Sequence, residues 1–544
     1  MSAGHFSIPP FDDRPSWMKS RGYLHVTPKM DVRKRYEELY TKMYDENFVA
    51  HHAFFPLIHS VIKERKYKKH PKDPKKRGHS FVEHGIAKHN AKLRPLHYST
   101  HIDAMIFSYY AGMLYEKYDN LLQEDPGLSA CITAYRKIPV DLEEGEDVDD
   151  PKGKSTIHFA NEAFSEIKLR AEDNGCIVLM FDIKSFFSEL NHKKLKEAWC
   201  KLIGVDKLNA AHFNVFKAST DFRYILRDDL RINPKRKGRR SGFDERELAR
   251  IRRETGQEAF FGSIDEFKEF LKSGKLTVYK HPFMKGRFPI GIPQGLPISA
   301  VLANLYLLDF DRVIFEKIVQ GLGGYYRRYS DDILIVCEVS QASEVESLVI
   351  EAIKDRAVEI STAKTEKYLF ESVQISPNVN RITSILLGKH AVVVGKPLTY
   401  LGFEFYGNKI LIKSANIAKF YRRMIFAVKR KSSRAIHSTP VHTRPALFTR
   451  QLKKHYSELD LDKAKNIKGE SKDKIKVKKL IKAKNGLFYY SFDEVDKKHK
   501  SNYFSYANRA SRIMRQPEIA GQLRNHKRIL NQAVVRHFAK KHKL

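Results

Sequence analysis

Cysteine is scarce in this chain of 544 residues. Cys131, Cys176, Cys200 and Cys337 lie far apart and no Cys-x-x-Cys pair occurs, so neither a disulfide framework nor a cysteine zinc site is indicated. Reduced thiols in a cytoplasmic protein are the simple expectation. Long apolar runs are missing too. None approaches the ~20 residues of a membrane span, and the stretch from Met1 to Met30 holds charges and prolines in place of a continuous apolar segment. Neither a membrane protein nor a secreted one is expected. No internal repeat is visible. Acidic residues are the third shortage: Asp and Glu number 64 against 99 Lys and Arg, a net charge of +35. A polyanion is the obvious partner for such a chain, and nucleic acid the foremost one.

What is present supports a large folded protein. Hydrophobic residues make up 42 % and aromatics 11 %, enough for a sizeable core and too much for global disorder. The length suits three or four domains, or one large enzyme core with appendages. The charge is segregated. Residues 411–544 hold 35 basic and 9 acidic residues, a net of +26, which leaves +9 for the 410 residues before them. Solubility would account for a high net charge but not for its concentration at one end.

Several segments have readable patterns. Residues 63–77 carry nine basic and two acidic residues with Pro71 and Pro74 among them, which reads as an exposed loop. Residues 103–122 have the apolar period of a helix, with Asp103 at or before its start. Residues 141–150 hold seven acids, a solvated loop or an acidic gate over a basic groove. Residues 175–182 are an apolar run closed by Asp182, the mark of a buried strand. A helix is expected over 185–202, and a basic surface insertion over 223–253. Turns followed by an apolar helix occupy 290–311. Residues 325–339 read as a hairpin turning at Ser330-Asp331-Asp332, and 398–412 as a second hairpin turning at Gly407-Asn408. Beyond Ser414 the pattern is helical and basic, broken by Pro440, Pro445 and Pro517.

Three carboxylates stand out by context. Asp182 closes a buried strand, and Asp331 and Asp332 are adjacent in a turn between apolar strands. Adjacent carboxylates repel, and desolvation beside a sheet is costly unless a cation is present. Hard divalent cations accept such oxygens and keep positions open for water and phosphates. A strand-end Asp with a hairpin Asp pair is therefore a cradle for two-metal phosphoryl transfer. Ser and Asp also favour turns, so the triplet by itself reads equally well as a polar turn.

The neighbouring segments resemble a family, the reverse transcriptases. Phe181-Asp182-Ile183-Lys184-Ser185-Phe186-Phe187 resembles their motif A. Gly291-Ile292-Pro293-Gln294-Gly295-Leu296-Pro297-Ile298-Ser299, running on to Asn304, resembles motif B. Tyr329-Ser330-Asp331-Asp332 matches the Tyr-x-Asp-Asp of motif C. Lys364-Thr365-Glu366 resembles motif D, and residues 398–403 the primer-grip hairpin, motif E. Five motifs stand in the family order.

The resemblance implies an α+β right-hand polymerase with fingers, a palm on an antiparallel sheet and a helical thumb. It implies an RNA-directed DNA polymerase that uses dNTPs and makes DNA. Two Mg²⁺ ions, or Mn²⁺ in their place, would be held by Asp182, Asp331, Asp332 and the carbonyl of Ile183. Phe187 would be the steric gate against a 2′-hydroxyl, with Phe186 and Phe187 both open to a core reading. Gln294 would lie by the incoming nucleotide, and Gly295 would permit close backbone approach. Lys364 would lie near the triphosphate as a candidate proton donor to pyrophosphate. Arg136 would be a fingers contact to the triphosphate, with Arg94 in the same region. Two departures are visible: Ala300 follows Ser299 where proline is common, and Ser330 fills the variable place of motif C. Neither touches an implied metal ligand.

The implied layout is an N-terminal extension at 1–80, fingers at 81–175, palm at 176–203, fingers or insertion at 204–288, palm at 289–411 and a basic thumb or RNA-binding region at 412–544. Residues 21–25, 94–96, 101–104 and 291–301 resemble the bacterial defence-associated "unknown group" enzymes. That resemblance implies antiphage defence with a structured non-coding RNA as cofactor or template. A retron enzyme, lacking here its Val-Thr-Gly signature, and a group II intron-derived one are the alternatives within the family. A template-independent nucleotidyltransferase on the same palm and an RNA-binding scaffold stand outside it. Tyr489, Tyr490, Tyr503, Phe504 and Tyr506, interleaved with the basic residues, are candidates to stack on unpaired bases. A homo-oligomer stays open, and no membrane partner is expected.

Overall fold

The computed structural model describes residues 7–140, 153–230, 245–439, 443–457, 474–496 and 502–539, apart from 66–67, 71–76, 79, 84–85, 90, 363, 378, 389–390, 444, 448 and 483–487. The acidic run at 141–150 and the centre of the expected insertion, 231–244, lie outside these residues. The chain divides into two units, one of Met1–Arg136 and Leu179–Thr365, the other of Lys137–Val178 and Glu366–Leu544.

In the first unit Leu57–Arg65 pairs antiparallel with Ala91–Tyr98 and parallel with Tyr224–Leu226. Ile58 and Ile225 are register partners and sit in one buried cluster with Val26, Phe261, Phe267 and Leu276. Two expectations change here. The basic segment from Lys63 begins as strand, because β-branched Val61 and Ile62 and a partner strand of similar length carry it on to Arg65. Pro71 and Pro74 lie outside the described residues. The stretch from 223 is likewise no mere insertion, since Ile225 is fully buried.

The helix His101–Gln123 appears where its apolar period places it. Its cap is Thr100, whose Oγ accepts from the Asp103 N–H at 3.3 Å. Asp103 is buried instead, accepting from the Phe55 N–H at 3.1 Å and meeting His52 Nε2 at 2.7 Å. The single helix expected over 185–202 is two, Phe186–Glu189 and His192–Ile203. Asn191 accepts from the Lys194 N–H at 3.1 Å, and a side-chain cap of that kind starts a new helix. The apolar helix Ser299–Ile314 follows the glycine-proline turns, and Tyr325–Tyr329 pairs antiparallel with Asp332–Cys337 as expected.

In the second unit the helix Thr156–Asp173 lies against aromatic strands, with Phe164 stacked on Phe405 at 4.7 Å and Phe405 on Phe370 at 5.3 Å. Glu366–Ser376 and Val379–Leu387 form a long hairpin extended by Val392–Val394. The expected hairpin at 398–412 gains a strand: Leu398–Tyr400, Phe403–Phe405 and Ile410–Ile412 pair in sequence. Leu401 and Gly402 adopt φ of 44° and 91°, a tight reversal that the apolar run concealed.

The basic end begins with the helix Ser414–His437, whose Met424 and Val428 pack with Leu452, Leu530 and Ala533. An all-helical reading of this end does not hold, because Lys474–Lys482 and Phe488–Asp496 pair as an antiparallel ribbon. Among the described residues no helix is long and apolar enough to cross a membrane.

Candidate active site

The strand Cys176–Asp182 delivers Asp182 at its C-terminal end. Its backbone continues between two pins. The Ile183 N–H donates to the Asp331 carbonyl at 3.2 Å, and the Ser361 N–H donates to the Asp182 carbonyl at 2.7 Å. The Lys184 N–H reaches the Glu359 carbonyl at 2.8 Å. Asp182, the Asp331-Asp332 turn and the segment before Lys364 are thus joined by main-chain bonds. The Lys364 ammonium donates to Asp182 Oδ2. Burial pushes the Asp332 carboxyl up to about 6, helped by the charges of Asp331 and Asp182 and opposed by Lys364 and Lys92. The three carboxylates therefore sense one another in a partly desolvated place.

Tyr329 and Asp332 close the hairpin, so Ser330 and Asp331 are its two-residue loop. Ser330 has φ of 61°, the left-handed region where glycine is favoured. Two groups hold it there. Arg328 Nη1 donates to the Ser330 carbonyl at 3.2 Å, and the Ser330 hydroxyl pairs with the Tyr135 hydroxyl at 3.2 Å. Arg328 is fully buried. It donates to both Asp311 oxygens at 2.7 and 2.6 Å and to Asn304 Oδ1 at 3.1 Å. Tyr326 gives Asp311 a further bond at 2.6 Å. The helix Ser299–Ile314 is thereby tied to the loop bearing Asp331.

The turn entering that helix is held by the chain around Phe187. The Ile292 N–H donates to the Phe187 carbonyl and the Gly291 N–H to the Leu190 carbonyl, both at 2.7 Å. Ring nitrogens of His192 and His281 donate to the Gly291 and Ile290 carbonyls at 2.7 and 2.6 Å. Phe186 is buried and Phe187 half-buried, so the two rings divide between core and surface. The Gln294 carbonyl accepts from the His97 N–H at 2.9 Å. Gly295 has φ of 120°, and a Cβ there would stand 2.6 Å from the His97 carbonyl. Glycine is required at that position by the protein's own backbone.

Residues 264–405 match the family model described as "Reverse transcriptase (RNA-dependent DNA polymerase)". Over these residues the chain is similar to the reverse transcriptase domain. The match takes in Gln294, Asp331, Asp332 and Lys364 and begins beyond Asp182, which joins the site through the bonds above. With its antiparallel hairpin and flanking helices, the domain has the α+β, right-hand polymerase fold. No curated protein sequence matches the chain. Two solved structures similar to it are yeast telomerases. The apo enzyme of Candida tropicalis, truncated of its C-terminal domain, is 9 % identical, covers 60 % of this chain and 54 % of its own, and has a TM-score of 0.33. The enzyme of Candida albicans with a fragment of telomeric RNA is 10 % identical, covers 72 % and 53 %, and has a TM-score of 0.34. The chain spans about half the length of these telomerases.

One candidate contact is corrected. Arg136 spends all its donors internally: on Asp119 Oδ1 at 3.0 and 2.8 Å, on the Ser129 and Ile132 carbonyls at 2.6 and 3.0 Å, and on Ser129 Oγ at 2.9 Å. Its side chain is 4 % exposed. A guanidinium with five bonds made has none left for a triphosphate. Arg94 pairs with Glu64 at 3.4 Å on the surface of its strand. Asp311 and Arg328 were not singled out from sequence. The signal was present: Arg328 follows buried Tyr326 at the strand period of two, and Asp311 is an acid within the last turn of an apolar helix.

Among the described residues no three acidic, histidine or cysteine side chains form a closed metal cage. The donor set still suits a hard divalent cation. Burial and the neighbouring carboxylates raise Asp332, and the protein already places one cation, the Lys364 ammonium, on Asp182.

Proposed function

We propose that this protein is an RNA-directed DNA polymerase that extends DNA from dNTPs. The observation that carries the reading is the meeting of Asp182 with the Asp331-Asp332 turn at strand ends, where burial, together with the charges of Asp331 and Asp182, raises Asp332. Carboxylates held together against their own repulsion suit cationic ligands better than they suit stability. Asp182, Asp331 and Asp332, with the carbonyl of Ile183, would hold divalent ions, two Mg²⁺ or Mn²⁺. When bound, such ions lower the pKa of an attacking 3′-hydroxyl and stabilise the leaving pyrophosphate.

The chain's own residues do the rest. Phe187, half-buried beside the turn at 291–295, would face the sugar and exclude a 2′-hydroxyl. Gln294, pinned through its carbonyl, would present its amide to the nucleotide. Lys364 is half exposed. Its Nζ would move from Asp182 to the triphosphate and give a proton to departing pyrophosphate. Residues 81–175 and 204–288 would serve as fingers, 176–203 and 289–411 as palm, and 412–544 as a thumb that grips RNA, with 1–80 as an extension.

The biological setting in this reading is antiphage defence in a bacterial cytoplasm, with a structured non-coding RNA as cofactor or template. It is supported by the motif resemblance in 21–25, 94–96, 101–104 and 291–301. The basic end, +26 over residues 411–544, suits the RNA. The four cysteines are free and buried, which suits a reducing compartment.

The decisive assay is dNTP incorporation on an RNA template with an annealed DNA primer, by the full chain and by Asp182→Ala and Asp331→Ala. Incorporation by the parent and none by the variants is expected. Normal incorporation by Asp182→Ala would sink the reading. Sequencing of the product separates templated from untemplated addition. Sequencing of co-purified RNA, with phage plaque counts, tests the defence role.

A further inference from the structure

Polymerisation needs a grip on nucleic acid, and three of the aromatics expected to stack on bases are packed against other rings, while the side chains of Tyr489 and Tyr490 lie outside those described. Tyr503 stacks on Phe420 at 4.7 Å, Phe504 meets His526 at 4.4 Å, and Tyr506 lies along Phe403 at 6.3 Å. Phe504 is buried. Side chains committed to packing are not open to a ligand.

The helix Ser414–His437 offers a different surface. It contains seven Lys or Arg and no Asp or Glu. Its apolar stripe, Phe420, Met424 and Val428 at a spacing of four, is buried. Arg422, Arg423, Lys429 and Arg430 are exposed on the other side. Phe426 lies among them, two residues from buried Met424 and Val428, and is 64 % exposed. A solvated surface helix ordinarily balances its cations with acids three or four residues away. Here no acid does so, and the cations repel along the face. A polyanion would relieve that repulsion. A large ring left in water amid those charges has a use if a flat partner covers it.

We propose that this face binds unpaired bases of an RNA, with Phe426 as the stacking ring and Arg422, Arg423, Lys429 and Arg430 as phosphate contacts. The inference rests on the nucleic-acid polymerase reading and places its RNA grip. Unpaired bases are the occupant because a duplex hides its base faces, whereas loops and single strands present them. Charge complementarity selects nucleic acid over an apolar protein surface.

The test uses the full chain and two fluorescein-labelled RNAs, a hairpin with an oligoadenosine loop and a blunt duplex of the same stem. The parent is expected to bind the looped RNA more tightly. Phe426→Ala should weaken the looped RNA about tenfold and the duplex little, and Phe426→Trp should retain the preference. Replacing Arg422, Arg423, Lys429 and Arg430 by Gln should weaken both probes and flatten the salt dependence by roughly three units of slope. Phe426 is solvent-exposed, so its variants should melt like the parent. Unchanged binding of the looped RNA by Phe426→Ala overturns the proposal, as does an equal loss on both probes. A change of oligomeric state with RNA binding unaltered also overturns it, and assigns the face to a protein contact. Absence of dNTP incorporation by the parent would instead count against the polymerase reading, since the binding assay needs no catalysis.

Discussion

Arg328→Met tests the support beneath the catalytic turn. The substitution removes four hydrogen bonds at once: two to Asp311, one to Asn304 Oδ1 and one to the Ser330 carbonyl. Asp311 is fully buried and keeps only the Tyr326 hydroxyl at 2.6 Å. Removing one partner of a buried ion pair costs about 3–5 kcal/mol, because the other charge is left uncompensated. The Asn304 and Ser330 acceptors add about 1 kcal/mol each if no water reaches them. A total of roughly 5–7 kcal/mol is comparable to a domain's whole stability. Urea unfolding followed by tryptophan fluorescence should show the midpoint falling steeply. Removing both charges separates the contributions. Arg328→Met with Asp311→Leu should recover most of the stability, since a matched apolar pair replaces the ions. It should not recover turnover, because the Ser330 carbonyl still lacks its donor and Asp331 loses a defined backbone. A loss below about 1 kcal/mol in the single variant would refute the uncompensated-charge argument. Full turnover in the double variant would refute the role of Arg328 in setting the turn.

Three further outcomes follow from the site and its surroundings. Asp331→Asn should abolish incorporation yet raise stability by about 1 kcal/mol in metal-free buffer, since it removes a charge that raises Asp332; calorimetry with and without magnesium checks this, and a lower melting temperature would contradict it. Burial depresses His25 and His97 to about 3 and His101 to about 4 from the ordinary 6.5. Their folded forms thus stay neutral while the unfolded chain takes up protons below 6.5, so stability should fall by about 1.4 kcal/mol per pH unit per histidine down to near pH 4. Flat stability from pH 6.5 to 4.5 would show that these rings are not buried neutral. Phe187→Ala should raise use of rNTPs relative to dNTPs, measured as the ratio of kcat/KM values, and an unchanged ratio would assign the gate to another side chain.

Much was readable from the chain because it is local. Asp182 ends an apolar strand, and Ser330-Asp331-Asp332 turns between two more. Period-two burial and turn chemistry depend on near neighbours, so both elements stand where the pattern places them. The long helix from His101 is legible for the same reason. Boundaries were less so: Asn191 split one apparent helix into two, and Leu401 with Gly402 folded an added strand into the hairpin at 398–412. In each case one residue's cap or backbone conformation outweighed a continuous apolar period.

What depends on partners distant in sequence became visible only in the folded chain. Arg136 and Arg328 are both arginines beside motifs, and nothing in their immediate sequence says that one is spent on Asp119 and the other on Asp311. Phe186 and Phe187 are identical in kind, and only packing makes one core and leaves the other half-buried. Tyr503, Phe504 and Tyr506 resembled a stacking surface, but Phe504 is buried and the half-buried Tyr503 and Tyr506 lie against Phe420 and Phe403, while Phe426, one ring in a basic helix, was left in solvent. Composition determined that this end of the chain would be cationic, because charge is a sum over residues. Which ring stands open among those charges was decided by tertiary packing, because exposure depends on every neighbour in space.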